Sequence, residues 1–200
     1  MKQELNKEVI KKLMKFKGEI RGLEIKSDGQ FVLKKQGLEA LKKVEEKLKE
    51  VGYPIEYEKI KSLDFYPGGI KILSLLAIKD VLNYTNEDIK KLGEFDSQTS
   101  LIIRFFIMHF AFASKFFFKQ SPKIWRKHWT SGNLIPLNYD EKNKVVIIQI
   151  KEFNLHPIYC VYLQGYFSAI FRLLIKSEKA TCQETKCSFK GEQLHEFLIK

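Results

Sequence analysis

The chain has 200 residues, of which 44% are hydrophobic, so it is long enough for one domain with a packed core and too apolar to be disordered. Its 35 basic and 24 acidic residues give a net charge of +11, which attracts acidic partners over long range, although lysine mixed with glutamate equally describes a solvated surface. Three cysteines cannot all pair within one chain, which excludes a disulfide framework, and the N-terminus lacks the continuous apolar stretch of a signal peptide, so a cytoplasmic location is expected.

Residues 1–17 are basic and weakly amphipathic, with Leu5, Val9, Ile10, Leu13 and Phe16 as the apolar positions, and read as a helical extension over residues 1–18. The rest, residues 19–200, reads as one domain. Residues 19–34 are expected to form two short strands around Asp28-Gly29, a hairpin dipeptide. Residues 37–51 carry Leu38, Leu41, Val44, Leu48 and Val51 at helical spacing, with Gly52 as the stop. Tyr66-Pro67-Gly68-Gly69 marks a loop, and the apolar run 70–82 a helix. The Gly-Gly pair lacks the Gly-Lys-Ser/Thr ending of a phosphate loop. Asn86 opens a helix with Asp88 in its first turn and a stop near Gly93.

Residues 97–119 are the most hydrophobic segment, expected as a central buried helix or one lining an apolar cavity. Arg104, His109 and Lys115 interrupt it, and each would cost a few kcal/mol in hydrocarbon, so no transmembrane segment is expected. In the basic stretch 123–129, Trp125 and Trp129 are expected to pack into the core at i,i+4 spacing, leaving Lys123, Arg126 and Lys127 on a surface able to grip an acidic head group. The alternative is nucleic-acid binding by stacking and phosphate contact. A strand over 144–150, a helix from Pro157 and a hairpin of 180–189 against 193–199 about Gly191 complete an α+β reading: an antiparallel sheet packed against helices.

The string 184–197 carries the chemistry. Cys187 and His195 are each four residues from Gly191 and fall roughly opposite each other across the hairpin. Thiolate and imidazole are favoured zinc ligands, and Cys160 on the preceding helix could supply a third, with Glu184 or Cys182 as a fourth. Glu184 differs in strand parity from Cys187, so a bulge between them is required to bring both to one site. The competing reading is two inert buried cysteines and an ordinary strand histidine. His128 and His156 have no carboxylate or nucleophile assignable to them, and no catalytic constellation appears, so no enzymatic activity is expected.

The run Glu184-x2-Cys187-x3-Gly191-x3-His195-x-Phe197, with Cys160-x4-Gly165 upstream, resembles the closing signature of the 4-vinyl reductase domain family. The resemblance implies a hydrocarbon-binding domain, often dimeric, with a structural zinc ion held by Cys160, Glu184, Cys187 and His195, the last replacing the family's usual cysteine. It also implies a fold shared with small trafficking-complex subunits and nitric-oxide-sensing domains. The expected function is a sensor for a small apolar or amphipathic ligand. Its pocket would be lined by Phe105, Phe106, His109, Phe112, Tyr162, Tyr166 and Phe167. A nucleic-acid or acidic-partner binder and a tetrapyrrole-modifying enzyme are the alternatives.

Overall fold

The structure, a computed structural model, describes residues 5–100, 114–140, 142–175 and 178–200. Seven α-helices lie among them: α1 (Lys7–Met14), α2 (Gly22–Gln36), α3 (Leu38–Glu50), α4 (Gly68–Val81), α5 (Asn86–Thr99), α6 (Ser114–His128) and α7 (Pro157–Ile175). Strands β1 (Glu19–Arg21) and β2 (Phe65–Pro67) form a small antiparallel ladder. Strands β3 (Asn133–Asp140), β4 (Val145–Lys151), β5 (Cys182–Lys186) and β6 (His195–Ile199) form an antiparallel sheet in the order β3-β4-β6-β5. The fold is therefore α+β, with the C-terminal hairpin β5–β6 in place.

Local chemistry explains most of the helices. Asn6 caps α1 by accepting from the N–H groups of Glu8 and Val9, and Ile10 and Leu13 enter the core. Leu41, Val44 and Leu48 are the buried stripe of α3, and Gly52 ends it at φ +87°. Thr85 and Asp88 close a capping box at the start of α5.

Two expectations are corrected. Residues 22–36 form α2 rather than a hairpin. Asp28 is a buried partner of Lys71 and Ser74, and Gly29 lies against the Tyr57 ring, so long-range packing outweighs the local turn preference of Asp-Gly. Helix α5 runs through Gly93 to Thr99, because Gly93 is where α7 makes its closest approach. A Cβ on Gly93 would lie 2.1 Å from the Tyr162 carbonyl oxygen, and one on Gly165 would lie 1.9 Å from that of Lys90.

The sheet turns one face to α6 and α7. Alternation along β4 buries Val146, Ile148 and Ile150, and along β6 it buries His195, Phe197 and Ile199. The register pairs Val146 with Ile199, Ile148 with Phe197 and Ile150 with His195, so His195 ends an otherwise apolar inward row. Among the described residues no helix is long and apolar enough to cross a membrane.

A candidate ligand cavity and a buried four-residue cluster

A cavity of about 60 Å³ lies between α6, α7 and the inner face of the sheet. Helix α6 supplies Phe117, Ser121, Ile124, Trp125 and His128, spaced along one face. Helix α7 supplies Tyr159, Leu163, Tyr166, Phe167 and Ile170, and the sheet supplies Leu134 and Ile148. Glu24 reaches the cavity from α2. The wall is thus aromatic and aliphatic except at Ser121 and at the end where His128 and Glu24 meet.

That meeting fixes the imidazole. His128 Nδ1 hydrogen-bonds Glu24 Oε1, and Nε2 has no hydrogen-bond partner among the described residues although His128 is only 4% exposed. A buried polar atom without a partner costs roughly 1–3 kcal/mol, so this nitrogen favours any ligand group able to bond it. Trp129 packs beside it and donates from Nε1 to Tyr159 Oη at 2.8 Å.

Behind Glu24 lies a fully buried polar network. Lys71 Nζ on α4 donates to Asp28 Oδ1 and to the Glu24 carbonyl oxygen, both at 2.7 Å, and to Asp96 Oδ2 at 3.4 Å. It also sits 4.4 Å from the centre of the Tyr162 ring. Ser74 Oγ donates to Asp28 Oδ2 at 2.7 Å. Tyr162 Oη donates to Asp96 Oδ2 and, at 3.3 Å, to Glu24 Oε2. Burial raises the Glu24 carboxyl, but His128, an Asp96 hydrogen bond and Lys71 outweigh it and hold it at about 2. Asp96 is pushed well above the carboxylate range by burial and by the Glu24 charge. Burial carries Asp28 up to about 6, although Lys71 and Ser74 oppose it.

The second site joins α7 to the hairpin. Ligand atoms of Cys160, Glu184, Cys187 and His195 all lie within 4.8 Å of one another. The bulge that parity requires is present: Glu184 pairs with Phe197 and Lys186 with Glu196, so Thr185 is the extra residue that resets the face of the strand. His195 Nδ1 faces Glu184 Oε1 at 3.0 Å and Cys160 Sγ at 3.5 Å. Its Nε2 faces Ser188 Oγ at 2.8 Å and the Phe153 carbonyl oxygen at 3.1 Å. Burial and Glu184 raise the Cys160 thiol, and burial also raises Cys187. In this form the four side chains make a hydrogen-bonded knot with protonated thiols. Two thiols, an imidazole and a carboxylate at this spacing could hold a metal ion. Cys182 lies buried on β5, apart from this group.

Tyr166 and Phe167 line the cavity, whereas Tyr162 is wholly buried and belongs to the polar network. The expected pocket residues Phe105, Phe106, His109 and Phe112 lie outside the described residues. Trp125 and Trp129 are buried and stacked on each other, with centroids 6.3 Å apart, so neither is available to stack on a base, which corrects the nucleic-acid alternative. Lys123, Arg126 and Lys127 line a surface groove with Pro122, Asn133 and Leu134. Sequence reasoning missed Glu24, Asp28, Lys71 and Asp96. The available signal was the i,i+4 spacing of two acids, Glu24 and Asp28, which puts both on one face if the segment is helical.

No family model and no curated protein matches the sequence. Solved structures do match in shape. The H-NOX protein of S. oneidensis in its Fe(II)NO ligation state aligns at a TM-score of 0.63 and 10% identity, over 90% of this chain and 98% of that one. The fold is that of the H-NOX domains. An oxygen-binding H-NOX domain related to soluble guanylate cyclases, in its oxygen complex, gives 0.57 at 16% identity, over 90% of this chain and 94% of that one. A protein studied for heme redox potential and porphyrin distortion gives 0.58 at 16% identity, over 90% of this chain and 99% of that one.

The H-NOX fold corrects the resemblance to 4-vinyl reductase domains. The residues that carried the resemblance lie mostly on one hairpin, and such a motif fixes a turn and a side-chain cluster without fixing how seven helices pack around it. The structural zinc ion and the homodimer were implied by that resemblance and fall with it, since these neighbours are described by heme, iron, nitric oxide and oxygen.

Heme itself can be tested against the cavity. His128 Nε2 is a suitable axial nitrogen, its ring oriented by a carboxylate on Nδ1. A porphyrin is a broad flat ring bearing carboxylates, however, and a space of about 60 Å³ admits only a few water-sized groups. Among the described lining residues, moreover, the ionisable groups near His128 include an acid, Glu24, and no lysine or arginine to meet those carboxylates. The described residues do not fit the group.

Proposed function

We propose that the chain is a small-ligand-binding sensor domain whose ligand is an apolar molecule carrying one hydrogen-bonding group. A binding role rather than catalysis, in the reducing cytoplasm where three free cysteines persist, fits the same reading. The observation that carries it is the His128 imidazole: buried, held by Glu24, standing in the wall of an apolar cavity, with an Nε2 that has no partner among the described residues. Ligand arrival there would be felt through Glu24 by Lys71 and Asp96, which reach α4 and α5. That gives the cavity a route to the helical layer.

The test is a titration with 1-hexanol followed by the fluorescence of Trp125 and Trp129. Saturable quenching is expected in the wild type. In Glu24→Gln/His128→Leu, which removes the buried pair together, binding should weaken about tenfold or more. No saturable response in the wild type would sink the reading. A hemin titration is the control, and a His128-dependent Soret band would replace the apolar ligand with heme.

We also propose that Cys160, Glu184, Cys187 and His195 act as a hydrogen-bonded knot pinning α7 to the hairpin, supported by the contacts of His195 Nδ1 to Glu184 and Cys160. Glu184→Ala should cost about 1–3 kcal/mol in urea denaturation. An unchanged midpoint would leave the knot without a structural role.

A further inference from the structure

The cavity at His128 does not end at α6. A second chamber, of about 30 Å³, continues from it, and the two share Phe117, Ser121, Ile148, Phe167 and Ile170 as walls. Along every element the lining advances in one direction. On α7 it runs from Tyr159 in the first chamber to Leu174 in the second, and on β4 from Ile148 to Val146. On α6 it runs from His128 back to Phe118. The chambers therefore lie end to end, parallel to α7. The helical rise places Tyr159 and Leu174 about 22 Å apart along that axis.

The two ends differ in chemistry. His128 and Glu24 stand at the first end. The second is lined by Phe118, Phe171, Leu174, Ile199 and the Tyr139 ring, and the Ser121 hydroxyl at the junction is already committed to the Phe118 carbonyl oxygen at 2.7 Å. Both chambers are small, and Phe117 and Phe167 line both of them.

From this arrangement, and resting on the binding role proposed above, we infer that the ligand is an unbranched alkyl chain with a terminal hydroxyl or carboxyl group. The polar end bonds His128 Nε2. The chain passes between Phe117 and Phe167, whose rings swing aside, and its tail fills the second chamber. A compact ring would fill the first chamber alone and leave the second without a role. A slender chain uses both, with its one polar group where the protein offers one unfilled nitrogen.

The test is a chain-length series of 1-alkanols, from two to eight carbons, titrated against the wild type and against Val146→Phe and Leu174→Trp, which fill the second chamber. In the wild type each added methylene should tighten binding about fourfold until the second chamber is full. In the filled variants short alcohols should bind as before, and the gain with length should stop early. A flat series in the wild type, or one that rises equally in the filled variants, overturns the inference and leaves a one-chamber site standing. No binding at any length defeats the binding role itself. Should both variants fail to fold, methyl NMR of the wild type decides: 1-hexanol must shift Val146, Leu174 and Ile199 where 1-propanol does not, and no such difference overturns the inference.

Discussion

His128 at the end of α6 and Glu24 in the first turn of α2 lie 104 residues apart in sequence and meet as a buried hydrogen-bonded pair at the wall of the cavity. The pair does two things at once. It fixes the imidazole in the cavity wall with Nδ1 engaged and Nε2 without a partner among the described residues, and it ties the wall to the Lys71 network in the helical layer.

Removing one member leaves the other buried and uncompensated. Glu24→Gln or His128→Leu alone should each cost about 3–5 kcal/mol in urea denaturation. The double substitution should cost clearly less than the sum. Additive losses would show that the two groups are not coupled.

Two acids of the network give opposite responses to pH. Glu24 is held at about 2 against an ordinary 4.5, so its contribution of about 3 kcal/mol is present above pH 4.5 and lost as pH falls towards 2. Asp28 is raised from 3.8 to about 6, so its contribution, again about 3 kcal/mol, is present below pH 3.8 and lost as pH rises through about 6. Thermal melting across this range should therefore show a loss of stability towards both ends. In Asp28→Asn the loss on the rising side should shrink without vanishing, because Asp96, raised by burial and the Glu24 charge, acts in the same direction, and an unchanged profile would assign the effect elsewhere.

The contact of α5 with α7 admits no methyl group. Gly165→Ala would place its Cβ 1.9 Å from the Lys90 carbonyl oxygen, which is backbone and cannot rotate away. The helices must separate, and a loss of about 3 kcal/mol is expected from chemical denaturation despite the better helix propensity of alanine. A neutral outcome would mean that the helices are not in this close contact.

The extra residue Thr185 brings Glu184 to the His195 imidazole. Glu184→Ala should move the His195 Nδ1 resonance in nitrogen-15 NMR while the far-ultraviolet circular dichroism of the helices stays. An unmoved resonance would show that the two groups are not bonded.

The sequence made the helices with a clean apolar stripe legible, α3 above all, and it also made the C-terminal hairpin legible. It placed Cys187 and His195 on one face, because strand parity and the distance from Gly191 are local quantities, whereas parity alone spoke against Glu184 and only the bulge at Thr185 brings it in. The H-NOX fold was not legible, since it depends on contacts such as Gly93 against α7 that no local pattern encodes. The polar core escaped for the same reason. Asp28-Gly29 has the local chemistry of a turn, and only Lys71, 43 residues later, makes it a helix. His128 had no visible partner because its carboxylate lies near the start of the chain.

The most direct measurement is nitrogen-15 NMR of the His128 ring during a 1-hexanol titration. Saturation should move the Nε2 resonance while Nδ1, held by Glu24, stays nearly fixed. If the His128 nitrogens are unmoved at saturation, or if the shifts map to the outer surface, the cavity between α6, α7 and the sheet is not the binding site.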